Sequence, residues 1–283
     1  MTNNHLSLIF PLILSLFVFT QTTQAQSGLD LTRKMIATAK QIQTMEFTLK
    51  TFERIEGKMI EQKMYVKWMR KPFKIYVKQA YPNKGVELLY ISGNSKVLVA
   101  PNSFPWFNLK LNPYGALMRE DQHHTIFGIG FDKTVSILES LLNKYETQAA
   151  SMVKNYVTVE WSGIECYKIF MMNPNFKYID YTIKKGETLL TIAKKFKLSE
   201  HMILEMNEEV DDYDDVDQGQ VIKIPNDYAK KMTIYIDKQK MIPVVIKVYD
   251  DQGLYEQYEH SKIEINPAFG SDEFSEDYEG YGF

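Results

Sequence analysis

Three groups of side chains in this sequence have the types to do chemistry. The first is His123-His124, two adjacent imidazoles. Adjacent side chains point to opposite faces of a strand, and about 100° apart on a helix, so the pair is poorly placed to close on one metal ion. His201 and His260 add no metal-ligand spacing. The second is Cys166, the single cysteine, which excludes an intramolecular disulfide and a thiolate metal cluster. It shares a period-two face with Ile164 and Phe170 and reads as a small buried hydrophobe. A nucleophilic thiolate would need a partner base, and none is identified. The third is the acidic run Glu208 to Asp217. It lacks the sixth-position glycine and terminal glutamate of an EF-hand, so it reads as a solvated loop. No GxSxG, HExxH or phosphate loop is present. The expectation is a protein with no catalytic residues, no metal ligands and no cofactor.

The elements that would hold these groups follow from length and periodicity. The chain has 283 residues, 45% of them apolar, and a formal net charge of -3. That suits one large domain plus a small one and gives no basic patch for nucleic acid. Residues 1–25 read as an export signal: Leu6 to Phe19 is apolar, and Thr23-Gln24-Ala25 offers a small-x-small cleavage site before Gln26. The run is shorter than the ~20 residues that span a bilayer. Its first residues lack Lys and Arg, so an uncleaved anchor is the alternative; no cysteine follows it for lipidation. Residues 29–44 read as a helix with Leu31, Met35, Ala39 and Ile42 on one stripe. Residues 45–101 alternate with period two and turn at Glu56-Gly57-Lys58 and Gly93-Asn94, an antiparallel meander. Its later strands are apolar on both faces, so something must cover the second face. Residues 103–130 are irregular and aromatic. A helix over 132–150, capped by Asp132, precedes strands at 153–172 and 232–260. The acidic, aromatic tail 271–283 reads as extended or disordered.

Between these last strands lies a different pattern. Tyr181-Thr182-Ile183 forms a short strand, Thr188 caps a helix bearing Leu189, Ile192, Ala193 and Phe196, and Ser199 caps a second. Asn207 suits a left-handed stop, and Gly219-Gln220 turns into Val221 to Ile224. With Gly186-Glu187-Thr188-Leu189 and Ile224-Pro225, the stretch resembles a LysM domain, a peptidoglycan- and chitin-binding module. Two departures stand out: Glu187 replaces the usual Asp, and the loop after Asn207 is acidic. The resemblance implies N-acetylglucosamine glycan bound by Gly186, Glu187, Thr188, Leu189, Asn207, Glu208, Glu209 and Val210. Its first and last strands pair, so its ends emerge together and it can sit in a hairpin connection.

The remainder resembles the LolA/LolB-like envelope lipoprotein carriers. The resemblance lies in element order, in Tyr65 to Tyr76 as a basic-Pro strand pair, in Leu89 to Asn94 with Val97 to Pro101, and in Met241-Ile242-Pro243 followed by Asp250 to Gly253. It implies an α+β fold: an antiparallel half-barrel sheet with covering helices and the small βααβ LysM domain inserted. The expected organisation is a signal peptide at 1–25, a discontinuous half-barrel at 26–176 plus 228–270, LysM at 177–227 and a tail at 271–283. The implied apolar cavity is lined by Trp68, Phe73, Ile75, Leu88, Val97, Val159, Phe170 and Val245. The expected function is non-catalytic: a periplasmic or envelope protein that binds peptidoglycan and holds an acyl chain or lipoprotein, with an envelope protein partner admitted. The alternatives are a wall-attached structural or adaptor protein without ligand, or a peptidoglycan-remodelling enzyme.

Overall fold

The computed structural model describes residues 26–154 and 156–283; the export-signal expectation lies outside them. Helix α1 (Gly28–Gln41) opens on a capping box between Ser27 and Asp30 and buries Leu31, Met35 and Ala39. It ends three residues before the expected boundary, because Thr44 already pairs with Met69. The strands that follow are β1 (Thr44–Ile55), β2 (Lys58–Met69), β3 (Lys74–Tyr81), β4 (Glu87–Ile91), β5 (Val97–Ala100) and β6 (Leu109–Leu111). After α2 (Asp132–Lys144) and α3 (Ala149–Met152) come β7 (Val157–Trp161) and β8 (Ile164–Met172). The small unit is β9 (Tyr178–Thr182), α4 (Leu189–Phe196), α5 (Glu200–Leu204) and β10 (Val221–Pro225). The chain closes with β11 (Lys231–Asp237), β12 (Pro243–Tyr249) and β13 (Leu254–Ile265).

Eleven strands form one antiparallel sheet in the order β6-β5-β4-β3-β2-β1-β13-β12-β11-β8-β7. Alternation gives the long strands two faces. On the inner face, Phe47, Leu49, Val66, Trp68, Ile234 and Ile246 form one core with α1 and with Val135, Leu138 and Leu142 of α2. The expected second helix stops at Lys144, and a 3-10 turn leads into α3. The loop before α2 passes close over Trp68. A Cβ at Gly130 would lie 3.1 Å from the indole Nε1, and Gly130 has φ of +101°, so the site suits glycine twice over.

The outer face of β2 to β5 carries Tyr65, Tyr76, Leu89 and Leu98, and the C-terminal tail covers it. Phe274 is 3% exposed, Tyr281 stacks on Tyr76 at 3.7 Å, and Glu273 meets Lys67 at 2.6 Å. The backbone N–H of Gly282 donates to Glu87 at 2.9 Å. Of the two expectations for the tail, extended or disordered, this overturns disorder. Its acidity resembled disorder, but its aromatic residues supply the cover that a two-sided apolar strand needs, and its acids meet lysines.

The small unit leaves and re-enters the hairpin β8–β11, whose last pair is Met172 with Lys231. Its own end strands pair Tyr178 with Pro225, so the two ends lie side by side. Asn226 seals the neck: it exchanges backbone and side-chain bonds with Lys177, and its amide donates to the carbonyl of Asn175. Thr188 caps α4 as the sequence implied. Two other expectations are corrected. The Ser199 hydroxyl does not cap α5 but donates to the carbonyl of His123 at 3.1 Å. Asn207 is not left-handed; its buried amide bonds the backbone of Ile203 and both backbone groups of Lys223, tying α5 to β10.

Candidate functional site

Cross-strand register sets Glu53 of β1 directly opposite Glu256 of β13 on the inner face. Two like charges facing each other are destabilising unless neutralised. The loop before α2 supplies the neutralising groups. The backbone N–H of His123 donates to Glu53 at 2.8 Å. Its ring Nδ1 lies 3.1 Å from Glu256 and its Nε2 2.9 Å from the carbonyl of Arg54. Both ring nitrogens face acceptors, which requires two N–H groups and therefore the imidazolium. Burial works against that charge, but Glu53 and the bond to Glu256 outweigh it and raise the His123 pKa. Glu256 is likewise held well below the carboxylate range: burial opposes its charge, and the two histidines overcome the penalty. Tyr228 donates to Glu256 at 2.6 Å, and the Tyr258 hydroxyl sits between the two glutamates.

His124 completes the cluster. Its Nε2 lies 3.2 Å from Glu256, and Lys133 of α2 donates to its Nδ1 at 2.6 Å. Ligand atoms of Glu53, His124 and Glu256 lie within 4.8 Å of one another, the spacing that could admit a metal ion. The hydrogen bonds point elsewhere. With Nδ1 accepting from Lys133, Nε2 carries the proton and offers Glu256 a donor, not a lone pair. The His123 imidazolium also supplies positive charge where a metal would bring it. The arrangement is a buried ion cluster on the floor of a cavity of about 60 Å³. The sequence reading singled out neither Glu53 nor Glu256; Glu53 lies at a position where β1 alternates inward, which was the available signal.

A larger pocket of about 410 Å³ lies toward β6, lined by Val77, Leu88, Val99, Leu109, Leu117 and Met118 and rimmed by Gln62, Glu120 and Asp121. Of the expected cavity residues, Leu88 lines it. Trp68, Ile75 and Val97 are buried in the inner-face core, and Phe73 packs on Tyr90 and Phe127. Val159, Phe170 and Val245 do not join them. Register places Val159 opposite Cys166 and Val245 opposite Tyr235, which pairs with Lys168, so all three share the other face of the sheet. Strands apolar on both faces carry no sequence signal for which parity points inward. Cys166 is fully buried, and burial pushes its thiol up to about 11, the opposite of an activated nucleophile.

In the small unit, Gly186, Glu208 and Glu209 are exposed and Thr188 and Glu187 half-buried, while Leu189, Asn207 and Val210 are buried. Glu187 accepts from Tyr181, from the Lys184 backbone and from Lys195. Leu189 N–H donates to the carbonyl of Tyr213 at 2.9 Å, which ties the first expected glycan-binding loop to the chain beyond the second. The turn into α5 docks this unit on the host. Glu200 pairs with Arg119 at 2.5 Å, and Arg119 lies 3.8 Å from the Tyr213 ring centre. The His201 ring stacks on His123 at 4.8 Å, and burial and the neighbouring histidines push its pKa down to about 3. Arg54 joins Asp250 and Glu205 across the same seam.

Comparison with known proteins adds family membership. A LysM domain model matches residues 181–225. No curated protein matches the chain. Similar solved structures include a Mycobacterium tuberculosis lipoprotein, LppX, at 14% identity and a TM-score of 0.40, covering 86% of this chain and 97% of that one. They also include a LolA superfamily protein from Nitrosomonas europaea at 8% identity and a TM-score of 0.34, covering 89% and 99%. A DUF1329 family protein from Desulfovibrio piger has 9% identity and a TM-score of 0.34, with 87% and 95% covered. At such scores these are likenesses only, and the reading of the site rests on this chain's own geometry. A further model, described as "Protein of unknown function (DUF1571)", matches residues 42–198, more than half of the chain, from just before β1 through α4, the first helix of the small unit. The chain carries a LysM domain and belongs to the DUF1571 family.

Proposed function

We propose that this protein is an exported, non-catalytic component of a cell envelope that binds wall glycan through its LysM domain and holds an apolar chain in its half-barrel. The LysM match over the whole strand-helix-helix-strand unit carries the glycan half of this reading. The reading assigns glycan contact to the exposed Gly186, Glu208 and Glu209 and to the half-buried Glu187 and Thr188. Buried Leu189, Asn207 and Val210 hold the two loops in place. A single module of this kind binds weakly, on the order of Kd 1 mM to 1 μM, or about 4–8 kcal/mol.

The apolar half is supported by the pocket of about 410 Å³, which falls within the usual range of about 300–1,000 Å³ for ligand sites. On the β3 to β6 side the pocket is walled by Leu117, Met118, Ile126 and Ile129 of the segment before α2, not by α1 or α2. No helix among the described residues is long and apolar enough to cross a membrane. Retention on purified peptidoglycan, compared between the whole protein and a Gly186→Trp, Glu208→Trp variant, tests the glycan half; equal retention refutes it. Displacement of a fluorescent fatty acid tests the other half. Saturable binding weakened by Leu88→Glu supports a carrier, and no binding favours a wall-attached scaffold or adaptor.

A further inference from the structure

We propose that the cleft between the host and helix α4 binds a small carboxylate- or phosphate-bearing ligand, a site separate from both the LysM groove and the apolar pocket. The cleft has a volume of about 240 Å³. Three lysines line it: Lys133 from α2, Lys194 from α4, and Lys197 at the left-handed end of α4. None of the three takes part in an ion pair among the described residues. One carboxylate lines the cleft, Glu200, and Arg119 already neutralises it at 2.5 Å. The cleft therefore carries the positive charge of Lys194 and Lys197 without a paired carboxylate, with Lys133 behind them at its inner end, and a charge held in a cleft attracts a counter-ion more strongly than one in bulk water.

Lys133 is the inner end of the site. An ammonium has three N–H donors, and its side-chain bond is to one acceptor, Nδ1 of His124. Burial lowers its pKa against the opposing pull of Glu200, Glu256 and Glu53. These carboxylates act on it through their charge, but none of them accepts a hydrogen bond from it among the described residues. Thr125 and Ser136 place hydroxyls in the lining, and Tyr114, Phe127 and Leu190 form an apolar wall. The arrangement suits a compact anion on a small neutral or apolar body. Because Lys133, His124 and Thr125 line both this cleft and the inner cavity, an anion here would also touch the cluster that joins host and LysM domain.

The test is calorimetric titration of the whole protein with N-acetylmuramic acid, N-acetylglucosamine and inorganic phosphate. The two sugars differ by a lactyl carboxylate, so their comparison isolates the anion, and phosphate identifies the other source. The expected result is binding of N-acetylmuramic acid or phosphate about tenfold tighter than N-acetylglucosamine, weakening from about 50 mM to about 500 mM NaCl. Lys194→Glu, an exposed change that leaves the core intact, should abolish the preference, and Lys133→Met should do the same from the inner end. No preference for either anion, or a preference unaltered in Lys194→Glu, overturns the proposal. Retention on peptidoglycan is measured in parallel, so a failed anion site is told apart from a failed glycan reading.

Discussion

His260 should make this protein sensitive to mild acid. It lies on the inner face of β13, 2% exposed, between the rings of Phe47 at 5.4 Å and Phe131 at 4.9 Å. Its Nδ1 is buried without a partner. Burial pushes its pKa from 6.5 down to about 3. A depressed histidine pKa means that the unfolded chain binds the proton more readily, so stability is lost as pH falls below 6.5 and the loss continues toward pH 3. Each pKa unit corresponds to about 1.4 kcal/mol, so moving from pH 7 to pH 5 should cost about 2 kcal/mol through this residue alone. His123 acts in the opposite sense: its raised pKa gives stability that is present below pH 6.5 and is lost as pH rises through the folded value. The informative quantity is therefore a difference. Urea unfolding of the parent and of His260→Leu at both pH values should show the parent losing about 2 kcal/mol more than the variant. The absolute stability of the variant does not matter to this comparison. Equal losses in the two proteins would refute the reasoning.

Other outcomes follow from the same contacts. Glu256→Gln leaves the His123 cation without its carboxylate and should destabilise the fold by about 3 kcal/mol, read by thermal unfolding. Arg119→Ala leaves Glu200 buried and unpaired at the seam, so the LysM domain should loosen and the necks near 173–178 and 225–231 should become sensitive to limited proteolysis. Phe274→Ala should cost about 3 kcal/mol by removing a buried ring, and deletion of residues 267–283 should expose the outer-face tyrosines and raise binding of a hydrophobic dye.

Local features were legible in the sequence because they depend on near neighbours. Period-two alternation marked residues 45–101 as a meander, and the burial of Phe47, Leu49, Met64, Val66 and Trp68 follows it. Thr188 marked the start of α4, and the residues shared with LysM marked the inserted unit. What the sequence did not determine is which groups from distant segments meet. Val159, Phe170 and Val245 sit in strands apolar on both sides, where parity is undecided until the strand register is known. The tail read as extended or disordered because composition reports its charge but not the outer face of β3 and β4 that its aromatics cover. Ser199 and Asn207 were assigned to local caps, yet each spends its polar group on a segment remote in sequence, His123 in one case and Lys223 in the other. The ion cluster is the clearest case. Glu53 and Glu256 stand 203 positions apart, and only the β1–β13 pairing brings them face to face. Once they are buried together, the cost of two unneutralised carboxylates requires His123, His124 and Lys133 to converge on them, and that requirement is a property of the tertiary structure alone.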